Sequence, residues 1–138
     1  MTTTDLSPAV WYARIFGIVL TLVGILGFVL TDGVTQDHTE LLFGLEVNTF
    51  HNIVHLLTGV LGLAAGFALL AYARMYALVL GVVYLVVGLW GMVDSNPLGL
   101  FAEINTADNI LHLVIGVAGL AAWAMSKNAV HTTDENIV

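Results

Sequence analysis

Two histidines, His55 and His112, hold the same place in two related stretches of this chain. Residues 48–66 read NTFHNIVHLLTGVLGLAAG, and residues 105–123 read NTADNILHLVIGVAGLAAW. The offset is 105 − 48 = 57, and 12 of 19 positions are identical, which is a tandem repeat rather than chance. An imidazole can hydrogen-bond, ligate a metal or pass a proton, so three chemistries are open. In the first, each histidine bonds Asn52, Asn109 or a carbonyl and locks the repeats together, at about 0.6–2 kcal/mol per bond. In the second, the pair holds a cofactor or metal. His55 and His112 facing across an axis have the pattern of bis-imidazole haem ligation. His51 and His55, at i and i+4, supply half a zinc or copper site. Asp108 stands where His51 stands in the first stretch, so His51, His55, Asp108 and His112 are the metal candidates. In the third, the histidines and nearby acids form a proton or cation path.

Other chemistry finds little support. No nucleophile–base pair, glycine-rich phosphate loop or pair of deep carboxylates is evident, and no catalytic residue is assigned. Cysteine is absent, which removes disulfides, thiolate sites and iron–sulfur clusters. The net charge of −7 argues against nucleic acid and against a polybasic lipid patch. His38 and His131 fall in a loop and a tail and are read as solvated.

The elements that must position these residues are membrane spans. Of the 138 residues, 59% are hydrophobic and only 9% charged, where a soluble domain carries about a quarter charged. The lipid bilayer is therefore the expected solvent. Ser7-Pro8 predicts a helix start, and the first span runs from Ala9 to Leu30. It lacks the basic flank and the Ala-x-Ala site of a cleavable leader. A connection over 31–47 contains Leu41 to Leu45, too short to span and expected on the bilayer surface. The second span covers about 49–71, with a tight turn at Arg74, and the third continues to about Val93. Asp94-Ser95-Asn96-Pro97 breaks the chain, Leu98 to Phe101 repeats the interfacial patch, and the fourth span covers about 106–125.

The first and third spans also correspond. Tyr12-Ala13-Arg14 returns as Tyr72-Ala73-Arg74, and Val23 to Gly27 returns as Val87 to Gly91. The expected fold is all-α, a four-transmembrane-helix bundle of two parallel helix–loop–helix repeats, residues 9–71 and 72–125, with a polar tail over 126–138. A pseudo-two-fold would lie along the membrane normal. Arg14, Arg74 and Lys127 fall at one end, while Asp32, Asp37, Glu40, Glu46, Asp94, Glu103 and Asp108 fall at the other. The positive-inside rule then puts both termini in the cytoplasm and the acidic loops outside the cell membrane. Tyr12, Arg14, Tyr72 and Arg74 are read as interface anchors.

At about 100° per residue, Asn52, His55, Gly59 and Gly62 share one stripe, and Asn109, His112, Gly116 and Gly119 share another. The two glycine stripes are expected to face each other near the axis, as close packing in lipid requires small residues. Asn48 and Asn105 are read as helix caps, and Asp108 suits the positive helix end.

The repeated Asn-Thr-x-x-Asn-x-x-His-x-x-x-Gly motif, with Tyr-Ala-Arg opening the third span, resembles a bacterial family of small four-helix membrane proteins catalogued only as a domain of unknown function. The resemblance covers about residues 9–125 and implies the four-span fold, with no substrate, cofactor or partner. The residues favour a structural or accessory membrane subunit, as a homo-oligomer or docked on a larger membrane complex. The alternatives are a haem- or divalent-metal-binding redox protein and a small ion- or proton-conducting oligomer.

Overall fold

The computed structural model describes residues 7–31, 39–96, 99 and 103–126. Asp32, Asp37, His38, Lys127, His131 and most of the 98–101 patch lie outside the described residues. Four helices are long and apolar enough to cross a membrane. They are α1 (Pro8–Leu30), α2 (Thr49–Leu63, continued by a π-helical turn Ala64–Ala68), α3 (Ala73–Gly91, entered through a 3-10 turn Leu70–Tyr72) and α4 (Thr106–Met125). The outward faces carry Ile18, Leu22, Leu57, Val79, Val86 and Val117, all largely exposed. Such a surface is unfavourable in water and ordinary in lipid, where the backbone is satisfied within each helix. The protein is thus an all-α, multi-pass membrane protein with lipid on its flanks.

Three of the four helices start where a side chain can accept their first amide hydrogens, and α3 starts from a 3-10 turn without one. Ser7 Oγ accepts from Val10 N at 3.3 Å, with Pro8 at the first helical position. Asn48 Oδ1 accepts from His51 N at 2.8 Å, and Asn105 Oδ1 accepts from Asp108 N at 3.0 Å. Each such cap contributes about 1 kcal/mol.

The bundle is two helical hairpins, α1/α2 and α3/α4. The glycine stripes do not face each other across an axis. They close each hairpin from within. Gly17 lies against the backbone of Gly59, Gly62 and Leu63, and Gly81 lies against Gly116, Gly119 and Leu120. Gly24 meets Asn52 and Leu56, and Gly88 meets Asn109 and Leu113. Backbones approach this closely only where no Cβ intervenes, and in lipid that contact is the main source of helix association.

Tyrosines join the hairpins. The Tyr12 hydroxyl of α1 donates to the Ile115 carbonyl of α4 at 3.0 Å, and the Tyr76 hydroxyl of α3 donates to the Thr58 carbonyl of α2 at 3.0 Å. The Tyr12 hydroxyl lies over Gly119 and the Tyr76 hydroxyl over Gly62. The partner of Tyr12 in this arrangement is Tyr76 and not Tyr72, which is exposed in the 3-10 turn. Contacts along α1 and α3 correspond at a constant offset, 76 − 12 = 64 and 91 − 27 = 64, from Ala9/Ala73 to Gly27/Gly91. The Tyr-Ala-Arg match is one helical turn off that register, although its arginines make like contacts at the offset 74 − 14 = 60.

The arginines do more than anchor. Arg14 Nε donates to the Gly66 carbonyl at 2.7 Å, inside the π turn, and Arg74 Nε donates to the Trp123 carbonyl at 3.3 Å. Each therefore adds a bond to a carbonyl near a helix end, that of Trp123 also accepting from Ser126 N at 3.3 Å. The Arg14 guanidinium also lies 5.5 Å from the Trp11 ring and 5.1 Å from that of Phe67. The first and last spans meet at this end, where Ala9 N donates to Ser126 Oγ at 2.9 Å.

The opposite end carries an element that the helical reading missed. Glu40–Leu42 (β1) and Leu45–Val47 (β2) pair antiparallel, in register Glu40 with Val47 and Leu42 with Leu45. Phe43 and Gly44 both sit at positive φ, 54° and 89°, as the tight turn of a two-residue hairpin requires. Leu42 and Val47 point into the protein, while Leu41 and Phe43 point away. So the segment is a β-hairpin with Leu41 and Phe43 on its outer side. It folds over the bundle and brings Glu46 against α2 and α4.

Candidate metal centre

Helix α2 brings His51 and His55 to one face, one turn apart. Helix α4 presents His112 to the same point from the other hairpin. All three side chains are buried. Ring centroids are 4.3 Å apart for His51 and His55, 5.6 Å for His51 and His112, and 6.2 Å for His55 and His112. One ring nitrogen from each lies within 4.8 Å of the other two. Among the described residues this is the group of metal-ligating side chains that converges.

The β-hairpin orients the first of these rings. His51 Nδ1 stands 2.9 Å from the Glu46 carbonyl oxygen. A carbonyl only accepts, so Nδ1 carries the proton and Nε2 keeps the lone pair. A backbone carbonyl holding one imidazole nitrogen while the other faces a metal is the usual outer-shell arrangement of metal-bound histidine.

Asp108 takes the position of His51 in α4 but does not join the three histidines. Its Oδ2 accepts from the backbone N of Glu46 at 2.7 Å. The two corresponding side chains thus grip one residue, His51 at the carbonyl and Asp108 at the amide. The Asn105 side chain adds a third hold, donating from Nδ2 to the Gly44 carbonyl at 2.9 Å.

Asn52 and Asn109 do not bond the histidines. Their side-chain amides lie against Gly27 and Gly91, where a Cβ would collide with them. Nδ1 of His55 and Nδ1 of His112 are buried with no hydrogen-bond partner among the described residues. An orphaned buried nitrogen costs about 1–3 kcal/mol, a cost that a bound ion or water would remove.

Tyr84 of α3 completes the surroundings, and the sequence reading passed over it. Its ring stacks on His55 at 6.4 Å and 16°, and meets His112 edge-on at 5.3 Å. Its hydroxyl reaches Thr58 Oγ1 at 3.4 Å. A buried tyrosine eight residues from Tyr76, on the same face of an otherwise apolar helix, was the available signal. Beside the histidines lies a cavity of about 200 Å³, walled by Phe50, Val54, Val83, Tyr84 and Val87.

The geometry discriminates between cofactors. Bis-imidazole haem ligation needs a macrocycle between the two rings. His51 and Tyr84 fill that space, each against both His55 and His112. A single ion fits better. Nitrogens bound to one zinc at about 2.0–2.1 Å stand roughly 3.3 Å apart, so the ring nitrogens, all within 4.8 Å, need close by at most about 1.5 Å. Three neutral imidazoles without thiolate suit zinc, copper, nickel or iron rather than calcium or magnesium.

No curated protein and no solved structure matches the chain. One family does, over residues 11–125, and the chain belongs to it: the family described as a domain of unknown function, DUF4383.

Proposed function

We propose that this is a membrane subunit that holds one first-row transition-metal ion between its two helical hairpins, on His51, His55 and His112. The observation that carries the reading is the convergence of three buried imidazoles, one of them already oriented by the Glu46 carbonyl. The simple polar-lock reading, in which each histidine bonds Asn52, Asn109 or a carbonyl, is less supported, because Nδ1 of His55 and Nδ1 of His112 have no partner among the described residues.

Two ligands come from α2 and one from α4, so the ion would tie the hairpins together. Three protein ligands leave at least one coordination position for a further group. The approximate correspondence of the hairpins supports two parallel repeats about a pseudo-two-fold, with the site breaking that symmetry at His51 and Asp108. The basic end, with Arg14 and Arg74, is assigned to the cytoplasm, and the acidic end to the outside.

The test is metal content of the purified protein after loading with zinc or copper, beside His55→Ala and His112→Ala. One equivalent per chain is expected in the native protein. Either substitution should lower affinity by at least about 10-fold, going by what even outer-shell partners of a metal contribute. Substoichiometric metal that both variants retain would reject the centre.

A further inference from the structure

The ion needs a way in. The flanks of the bundle face lipid, which a hydrated cation does not cross. The acidic end offers a polar opening, a cleft of about 590 Å³ between the end of α3, the start of α4 and the β-hairpin. Glu46 and Glu103 stand on its walls, and Asn105 and Asn109 reach it from α4. Both arginines of the described residues lie at the far end of the bundle, so nothing in the cleft offsets its negative charge.

Two features tie this cleft to the histidines. Glu46 is shared, lining the cleft and holding His51 Nδ1 with its backbone carbonyl. Asn109 lies three residues before His112 on one face of α4, about 4.5 Å outward along the axis. Asn109 is 2% exposed, and its Oδ1 has no hydrogen-bond partner among the described residues. That oxygen rests against Gly91, which lines the same cleft. A buried carbonyl oxygen without a donor, below two carboxylates, is a ligand set for a cation and not for an anion.

We infer that the cleft bounded by Glu46, Glu103 and Asn109 is the entry and staging site for a divalent cation on its way to the histidines. This rests on the metal-centre reading for its destination but not for its own existence. The carboxylates would gather the hydrated ion, the Asn109 oxygen would replace a water lost from its shell, and His112 is the next ligand inward. Oxygen ligands bind weakly and exchange fast compared with imidazole, which is what a staging site requires.

Two measurements on the full chain in nanodiscs decide it. The first is the rate of zinc uptake, followed by competition with a zinc-sensitive dye, for native protein and Glu103→Gln. Charge steering acts on the on-rate and fades with salt. Uptake should slow about 3- to 10-fold at low ionic strength and converge with native at high salt, with one zinc per chain at the end. Equal rates at low salt would overturn the proposal.

The second is independent of the centre. Manganese prefers oxygen ligands, so its paramagnetic resonance signal reports the cleft in a His112→Ala background. Weak binding abolished by adding Glu46→Gln and Glu103→Gln supports the cleft even if the histidines hold no metal. No manganese binding, or binding that both glutamines leave intact, overturns it. A native protein that takes up no zinc yet binds manganese in the cleft rejects the histidine centre alone.

Discussion

The α1/α2 hairpin and the α3/α4 hairpin are packed by the same contacts and differ where chemistry is possible. Gly17 lies over Gly59 and Gly62 as Gly81 lies over Gly116 and Gly119, and Asn52 fits Gly27 as Asn109 fits Gly91. Arg14 reaches the carbonyl of Gly66 and Arg74 that of Trp123, and 123 − 66 = 57 is the same offset as between the histidines. At one pair of positions the match ends. His51 accompanies His55 in α2, while Asp108 accompanies His112 in α4, and both are drawn to Glu46 of the first loop. Two like positions therefore meet unlike backbone groups of one residue, its carbonyl and its amide. Packing in lipid asks the same of both hairpins, whereas the shared loop residue asks for a donor on one side and an acceptor on the other.

The comparison is broken most severely where backbones touch. A Cβ on Gly17 would stand 2.6 Å from Leu63 N, and one on Gly81 2.8 Å from Leu120 N. Neither neighbour is a flexible side chain that can move aside. Gly17→Leu and Gly81→Leu should each cost at least about 3 kcal/mol, the upper range for overpacking, and to a similar degree. Denaturant titration in bicelles measures it. A large loss in one hairpin with a tolerant partner would show that the close contacts do not carry equal weight.

The point of divergence can be tested by exchange. His51→Asp would put a carboxylate against the Glu46 carbonyl, two acceptors with no proton between them, and would also remove an imidazole. We expect a loss of about 1–3 kcal/mol without metal, together with at least about 10-fold weaker zinc binding. Asp108→His should cost a similar amount in stability, because the Glu46 amide loses its acceptor, yet leave zinc stoichiometry at one. Melting with and without zinc separates the two effects. If Asp108→His removes zinc binding, the aspartate belongs to the centre after all.

These differences also mark how far the residues alone could be read. The four spans and their caps were legible because apolar runs, Ser7-Pro8 and the two Asn-Thr starts are local signals. The pairing of His55 with His112 was legible from the offset of 57. Partner choice was not. Stripe periodicity shows that Gly59 and Gly62 want a close neighbour, but it cannot say that α1 within the hairpin provides it. The Tyr-Ala-Arg match pointed to Tyr72, since identity of three letters outweighed a four-residue shift that only contacts reveal. Hydropathy over Leu41 to Leu45 hides the alternation and the Phe-Gly turn of a β-hairpin. That hairpin is what sets the tautomer of His51, so the one feature that orients the site came from a segment with no helical signal.

The mildest expected effects lie at the tyrosines that bridge the hairpins. Tyr12→Phe removes the bond to the Ile115 carbonyl, and Tyr76→Phe the bond to the Thr58 carbonyl. Both carbonyls belong to continuous helix and keep their helical partners, so neither is orphaned. Each substitution should therefore cost only about 0.6–1.7 kcal/mol, the range for interhelical bonds in membranes. The two rings stand 6.2 Å apart, close enough to couple. A double variant costing the sum of the singles would describe two separate latches. A cost clearly below the sum would mean that the two bonds depend on each other, each forming on a pair that the other has docked, and a cost above the sum would mean that either tyrosine suffices to hold one hairpin to the other.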